Sequence, residues 1–141
     1  MQPVIQEDRT GCALASVAAL ACTSYSDAKR AATDLGISVD DPSLWSATAQ
    51  VRKLLRHFNL AAPPREQAFH SWKQLPERAL LAIKWHREKN GPAWHWVVFV
   101  REGGESYVLD PKKTLRTNRR KDFGRMRPKW FIAVTAPSPR I

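Results

Sequence analysis

The N-terminal part of the chain carries apolar positions at helical spacing. The pattern predicts a first helix that begins near Asp8 to Thr10, where either side chain could cap the free N–H groups of the first turn. It predicts a second helix over 26–35, capped by a serine and ended by Gly36, and a third helix over 43–58. The stripe that we expect to be buried on the first helix consists of Leu14, Val17, Ala18 and Ala21.

The second half of the chain changes to short runs rich in β-branched and aromatic residues. Two adjacent glycines, Gly103 and Gly104, separate two of these runs, which is a strong hairpin signal. Helices followed by strands, without alternation, predict an α+β fold. We expect one domain over 1–141, with a disordered tail from about residue 136. The predicted strands cover 80–85, 95–100, 107–109 and 130–134.

Composition narrows the class of protein. The chain has 141 residues, of which 43% are hydrophobic and 26% are charged, which is ordinary for one globular domain. No apolar run approaches the ~20 residues that a membrane helix needs. The N-terminus lacks a basic segment followed by an apolar one, as a signal peptide would have. We therefore expect a cytoplasmic protein.

The net charge of +10 is concentrated in the segment 112–129, which holds nine basic residues and one acidic residue. Such a block is typical of a surface that binds an acidic partner, either nucleic acid or an acidic protein, and equally of a solvated loop. Few aromatic residues accompany the basic ones, so the segment offers few side chains on which nucleic-acid bases could stack. The candidate contacts to an acidic partner are Lys112, Lys113, Arg116, Arg119, Arg120 and Lys121.

The two cysteines, Cys12 and Cys22, are both expected to be free. Ten residues on one helix separate them by ~15 Å, whereas a disulfide needs Cα atoms within ~7 Å. They are also too far apart to share a metal, and the sequence contains neither Cys-x-x-Cys nor His-Glu-x-x-His. We expect no metal and no cofactor. A free cysteine in such a chain is a candidate nucleophile, and the first turn of a helix would stabilise its thiolate.

The hairpin places a histidine and a carboxylate together. A two-residue loop at 103–104 pairs Glu102 with Glu105, and counting back along both strands puts His95 and Asp110 on the same face. They are then diagonal neighbours with Cβ atoms somewhat under ~7–8 Å apart. This is within reach for a carboxylate to orient an imidazole, so the two residues complete a possible Cys-His-Asp arrangement with Cys12.

Stabilisation of an oxyanion and binding of the substrate also need candidate residues. The backbone N–H of Cys12 and the side-chain amide of Gln6 could stabilise an oxyanion. Trp94 and Trp96 could form walls of a substrate cleft. Each of these residues alone is more often structural, since a cysteine in an alanine-rich helix is usually a small buried hydrophobe. Their order along the chain, each on a suitable element, favours the catalytic interpretation.

Three motifs together resemble a known family. Gln6 stands six residues before Cys12 at the start of a helix, His95-Trp96-Val97-Val98 lies on a strand, and Tyr107-Val108-Leu109-Asp110-Pro111 follows a hairpin. This pattern is similar to that of papain-like cysteine peptidases, and most of all to the bacteriocin-processing peptidases that cut after a double-glycine leader. The resemblance extends from about residue 6 to residue 111.

The resemblance implies N-terminal helices packed on a C-terminal antiparallel sheet, with the site in the cleft between them. It implies Cys12 as nucleophile, His95 as general base and acid, Asp110 as the orienting residue and Gln6 as an oxyanion-hole residue. The implied reaction is hydrolysis of a peptide bond through a thioester. Arg9 replaces a glycine that the family carries three residues before the nucleophile.

Two classes of function stay open. The first is a thiol hydrolase, whether peptidase, isopeptidase, amidase or acyl transferase, because a fold does not fix a substrate. The second is a catalytically silent binding module of the same fold that holds an acidic partner through the segment 112–129.

Overall fold

A computed structural model describes residues 1–136 as a helical layer packed on an antiparallel sheet. The tail that the sequence predicts to be disordered lies outside the described residues, except for Ala136. No described helix is long and apolar enough to cross a membrane. The helices are α1 (Cys12–Leu20), α2 (Tyr25–Asp34), α3 (Ser43–Ser46) and α4 (Ala49–His57). The strands are β1 (Gln67–Ala68), β2 (Arg78–Glu88), β3 (Gly91–Glu102), β4 (Glu105–Leu109), β5 (Arg119–Arg120) and β6 (Trp130–Ala133).

The six strands form one sheet in the order β1-β6-β2-β3-β4-β5, and every pairing in it is antiparallel. This confirms the predicted α+β architecture. Successive side chains of β2 and β3 point to opposite faces of the sheet, so their apolar side chains belong to two different clusters. The larger cluster lies between the sheet and the helices, and the smaller one covers the opposite face. The long central strands are therefore buried on both sides.

Helix α1 is the centre of the helical layer, and all of its nine residues are buried. It packs against α2, α4 and β3. Small alanine side chains let these neighbours approach the helix closely. The hydroxyl of Ser16 donates a hydrogen bond of 3.4 Å to the carbonyl oxygen of Trp96, which fixes α1 against the middle of β3.

The predicted start of α1 is partly wrong. The helix begins at Cys12 with Gly11 as its N-cap, and no side chain caps it. Asp8 does not cap α1 because its carboxylate accepts a hydrogen bond of 2.6 Å from the hydroxyl of Tyr25 instead. The hydroxyl of Thr10 donates to a backbone carbonyl at Val39 rather than accepting from the helix.

The second helix is confirmed with a shift of one residue. Ser24 is its N-cap, and its side chain accepts a hydrogen bond from the N–H of Asp27. Gly36 follows the helix with φ of 75°, a left-handed conformation that glycine adopts readily.

The prediction of one continuous third helix is wrong, because Ala47 is extended and separates α3 from α4. In an unbroken helix the carbonyl of Leu44 would accept from the N–H of Thr48. Instead it accepts a hydrogen bond of 2.6 Å from the indole N–H of Trp96. A contact from the sheet thus replaces the helical hydrogen bond at the break.

The four predicted strands are all present, and β2 and β3 are longer than expected. The hairpin register is confirmed, since Glu102 pairs with Glu105 across Gly103 and Gly104. The sequence does not reveal β1 and β5, because two residues carry no periodic pattern.

Strand β3 pairs with β2 along most of its length but with β4 only over 98–102. The first half of β3 therefore has no β4 neighbour, and α1 packs near it. In β2 the register shifts between Ile83 and His86, and Lys84 has φ of 53° there. This bulge lies directly beside His95, the cross-strand partner of Ile83.

We predict that Trp96→Phe destabilises the fold more than Trp85→Phe does. Trp96 is fully buried, and its replacement leaves the Leu44 carbonyl without its donor. This costs about 1–3 kcal/mol in the free energy of unfolding, with a further loss from the unfilled volume. Trp85 is half-buried and serves as the matched control. Urea denaturation of both variants measures the difference, and equal losses would contradict the role assigned to the indole N–H.

Candidate active site

Cys12 is the first residue of α1, and 7% of it is exposed to solvent. Its backbone N–H belongs to the first helical turn, where no carbonyl of the helix can accept from it. The aligned peptide dipoles place partial positive charge at this end of α1. The thiol therefore lies where a developing negative charge is stabilised.

The segment before Cys12 is shaped by a close contact at Gly11. A Cβ atom at this position would overlap the hydroxyl of Tyr25. That hydroxyl is held by Asp8, which also forms an ion pair of 3.0 Å with Lys29. Hydrogen bonding to Tyr25 and Lys29 lowers the pKa of Asp8. Glycine is thus required for α2 to support the turn that presents Cys12.

Arg9, which departs from the pattern of the family that the sequence resembles, fits this turn without strain. It is exposed and does not have a positive φ, so the backbone at this position does not require glycine.

His95 and Asp110 form the contact that the hairpin register predicts. The Nε2 atom of His95 lies 2.7 Å from Oδ1 of Asp110. The thiol of Cys12 lies close to the same imidazole and is one of the groups that raise its pKa. The structure therefore brings Cys12, His95 and Asp110 together, with the imidazole bound to the carboxylate and close to the thiol.

Asp110 is 1% exposed and is surrounded by donors. Besides His95, the backbone N–H of Lys112 donates to its Oδ1 at 3.0 Å, and Nη1 of Arg120 donates to its Oδ2 at 2.9 Å. Burial on its own would raise the pKa of Asp110, but these donors and the charge of His95 outweigh it and lower the pKa. The carboxylate is thus held as an anion.

The pKa of His95 is shifted in the opposite direction. Burial on its own would lower it, but the hydrogen bonds with Asp110 and Cys12 and their charges raise the pKa of His95 to about 9. A protonated ring is favoured between two groups that accept hydrogen bonds. The surroundings of His95 therefore favour its imidazolium form.

Gln6 lies in the segment before α1, but its amide is not turned toward the thiol. Its Nε2 donates to the carbonyl oxygens of Asp8 and Arg9, at 3.1 and 2.9 Å. Its Oε1 is buried and has no partner among the described residues. The side chain therefore stabilises the turn before Cys12 in this structure.

The two tryptophans beside His95 have different surroundings. Trp96 is fully buried in the larger cluster, so the structure does not bring it to the surface of a cleft. Trp94 is packed edge-on against both Trp96 and Trp130. It lines a recess of about 560 Å3 together with Trp85 and Lys129. Only Trp94 is placed where a ligand could touch it.

The six basic residues that the sequence suggests as contacts to an acidic partner fall into two groups in the structure, those with a partner inside the protein and those without an ion pair. Arg119 lies over the ring of Tyr107, at 4.3 Å from the centroid, and Lys121 pairs with Glu105. Arg120 belongs to the carboxylate site described above. The remaining members are exposed, and no carboxylate within residues 1–136 forms an ion pair with them. They are Lys112, Lys113 and Arg116.

Sequence reasoning missed Arg120 as a member of the site. Its side chain is only 14% exposed and also pairs with Asp122 at 2.7 Å. It reaches Asp110 because β5 pairs with β4 and sets Arg120 opposite Val108. No signal in the sequence separates this arginine from the basic residues around it.

Within residues 1–136, no group of three or more His, Cys, Asp or Glu side chains is arranged to hold a metal ion. Cys22 is free and exposed, with φ of 55° just beyond α1. The two cysteines therefore do not share one helix as expected, because α1 ends at Leu20.

Comparison with known proteins supports the fold. No family model matches the chain, and no curated protein matches it. Among solved structures, the crystal structure of a double glycine motif protease from an AMS/PCAT transporter, in complex with the leader peptide, is similar to this chain. The TM-score is 0.61 at 20% sequence identity, over 96% of this chain and 91% of that chain. At this identity the similarity shows the fold, which is consistent with the papain-like architecture predicted from the sequence.

We predict that the stabilising effect of His95 depends on pH. The pKa of about 9 in the folded state exceeds the ~6.5 of an unfolded chain. The protonated ring therefore stabilises the fold fully below about pH 6.5, and the effect is lost as the pH rises through about 9. The difference in unfolding free energy between wild type and His95→Gln should shrink over this range. A difference that stays constant with pH would contradict the raised pKa.

A second prediction concerns Gly11. The change Gly11→Ala drives a methyl group into the Tyr25 hydroxyl and should lower the free energy of unfolding by about 1–3 kcal/mol. It should also slow alkylation of Cys12, because the turn that presents the thiol must shift. Gly124→Ala is the matched control, since open space surrounds that position. Equal stability and equal alkylation rates in both variants would show that the contact has no such role.

Proposed function

We propose that this protein is a cysteine peptidase that hydrolyses a peptide or related amide bond through a thioester. The observation that carries the proposal is the grouping of Cys12, His95 and Asp110, with the thiol at the positive end of α1. The fold shared with a double glycine motif protease supports the same conclusion.

The reaction would begin with a thiolate and an imidazolium. His95 holds the proton of the Cys12 thiol, and the thiolate attacks the carbonyl carbon of the substrate to form a tetrahedral oxyanion. The imidazolium then gives its proton to the leaving amine as the C–N bond breaks, which leaves a thioester on Cys12. Neutral His95 next takes a proton from water, whose oxygen attacks the thioester. Collapse of this second intermediate expels the Cys12 thiolate, releases the acid and restores the thiolate–imidazolium pair.

Asp110 would orient the imidazole and stabilise its charged form. Oδ1 accepts from Nε2 of His95, which directs the other ring nitrogen at Cys12. The two further donors on Asp110 keep the carboxylate from rotating away. A carboxylate that is fixed on both oxygens preserves the tautomer and the ring orientation that the proton transfers need.

The oxyanion would form beside the first turn of α1. The N–H of Cys12 supplies one donor there. Gln6 is the candidate for the second, since a rotation of its amide away from Asp8 and Arg9 would free Nε2 to donate into the cleft. Such a rotation would break those two hydrogen bonds and would also move Oε1, which is buried without a partner among the described residues.

The substrate is expected to be a peptide with small residues at the cleaved bond. The slight exposure of Cys12 leaves little space beside the thiol. The similar solved structure is a double glycine motif protease in complex with the leader peptide. An apolar side chain further along the substrate could enter the recess beside Trp94, whereas the buried Trp96 would have no contact with substrate.

The test of the catalytic pair is the alkylation of Cys12 by iodoacetamide as a function of pH, followed by mass spectrometry. We expect Cys12 to react well below pH 7 in the wild-type protein, because its thiolate is paired with the imidazolium. In His95→Ala this reactivity should fall to that of the exposed Cys22, which is an internal reference. His57→Ala, at the end of α4, is the matched control and should behave as wild type.

The same experiment separates the peptidase from a catalytically silent module. A Cys12 that follows the pH profile of Cys22, or that is labelled only after unfolding, would rule out the peptidase. The proposal further requires that Cys12→Ser lose hydrolysis of a peptide library by at least ~10³-fold, since the nucleophile carries the covalent step.

A further inference from the structure

Three cations that the proposed reaction does not use lie next to the candidate active site. Lys84 and Arg116 line one recess of about 450 Å3, and Lys112 is near enough for its charge to act on that of Lys84. We call these three residues the basic cluster. Lys84 belongs to β2, while the other two belong to the segment after β4, so the fold assembles the cluster from separate parts of the chain.

The basic cluster lies on the outer side of the His95–Asp110 pair. Lys84 directly follows Ile83, the cross-strand partner of His95. The backbone N–H of Lys112 donates to Oδ1 of Asp110. A ligand bound to these cations would therefore lie near the His95–Asp110 pair, and neither His95 nor Cys12 lines the recess itself.

The basic cluster holds like charges near one another. Lys84 is an exposed residue, but partial desolvation and then the neighbouring charge of Lys112 lower its pKa and outweigh the opposite effect of the Asp110 carboxylate. Within residues 1–136, no carboxylate forms an ion pair with any member of the basic cluster. Lys84 also has φ of 53°, a conformation that is costly for a residue other than glycine and that occurs often at ligand sites.

We propose that the basic cluster is an anion subsite that binds an acidic side chain of the peptide substrate, within a few residues of the cleaved bond. This inference rests on the proposed peptidase function. An extended peptide advances ~3.3 Å per residue, so a Glu or Asp a few positions from the scissile amide reaches the outer side of His95. Two ammonium groups and a guanidinium offer the donors that carboxylate oxygens accept.

A peptide carboxylate fits this site better than a nucleic acid does. Nucleic acid needs an extended basic track with aromatic side chains for stacking, whereas the recess here is small and holds Leu115 as its large apolar residue. Three other basic residues of the same segment, Arg119, Arg120 and Lys121, are already engaged within the protein. Lys84 also lines a second recess with Arg125, Arg127 and Lys129, so the tests below include a single-stranded oligonucleotide.

The first experiment compares two reagents that differ by one negative charge. Iodoacetate and iodoacetamide alkylate the same thiol, but only iodoacetate carries a carboxylate. We expect the ratio of their second-order rates, iodoacetate over iodoacetamide, to be higher at Cys12 than at Cys22. In Lys84→Glu/Lys112→Glu the ratio at Cys12 should fall roughly three- to tenfold at low salt, and less at high salt.

Two controls test whether a change in the ratio is specific to the basic cluster. Lys53→Glu makes the same charge change on the exposed surface of α4 and should leave the ratio unchanged. The iodoacetamide rate itself reports whether each variant retains an intact Cys12–His95 pair. If the double variant does not fold, Lys84→Gln/Lys112→Gln is measured in its place, with a smaller fall expected. A ratio that does not respond to the lysines overturns the inference.

The second experiment reads the substrate preference directly. Wild type, the double variant and Lys53→Glu are each incubated with a mixed peptide library, and the cleaved bonds are identified by mass spectrometry. Acidic residues should be enriched near the bonds that wild type and Lys53→Glu cut, and the double variant should lose this enrichment. Cleavage by wild type without acidic enrichment overturns the inference.

The two proposals can fail separately. If wild type cuts no peptide while the reagent ratio still responds to the two lysines, the peptidase proposal fails and the anion subsite remains. If a single-stranded oligonucleotide binds with a steep salt dependence that the double variant removes, and no acidic peptide is preferred, the cluster is a nucleic-acid site and the inference is wrong.

Discussion

The carboxylate of Asp110 is almost completely buried, and burying a charge is costly unless donors surround it. The three donors come from different parts of the chain: the imidazole of His95 on β3, the backbone after Pro111, and Arg120 on β5. The main chain of Asp110 is tied to the same region, since Asn118 receives and donates hydrogen bonds with it. For all three donors to reach this one carboxylate, the loop after β4 must turn back and β5 must pair with β4. The same set of contacts fixes the position of His95.

The parts of this arrangement that depend on local pattern could be predicted from the sequence. Two glycines fix the hairpin register, and the register places His95 beside Asp110 because residues two apart on a strand share a face. The helical period found α2 and the body of α1 for the same reason. These features follow from neighbours in sequence, so one chain without relatives is enough to predict them.

The features that the sequence did not reveal depend on contacts between distant residues. The break at Ala47 follows from a hydrogen bond between Trp96 and Leu44, which are far apart in sequence. The need for glycine before Cys12 comes from Tyr25 on the next helix. Arg120 is one of nine basic residues in its segment, and only the pairing of β5 with β4 shows that it binds a buried anion.

The charges around the imidazole act against one another. Asp110 is shared between His95 and Arg120, so it stabilises the imidazolium less than a carboxylate bound to His95 alone would. Lys84 and Lys112 add a positive field on the outer side, which also opposes the charge on His95. An acidic substrate group held by the basic cluster would offset this field at the moment of binding. Substrate recognition and stabilisation of the thiolate–imidazolium pair would then be coupled, because the anion that fits the cluster also favours the charged form of His95.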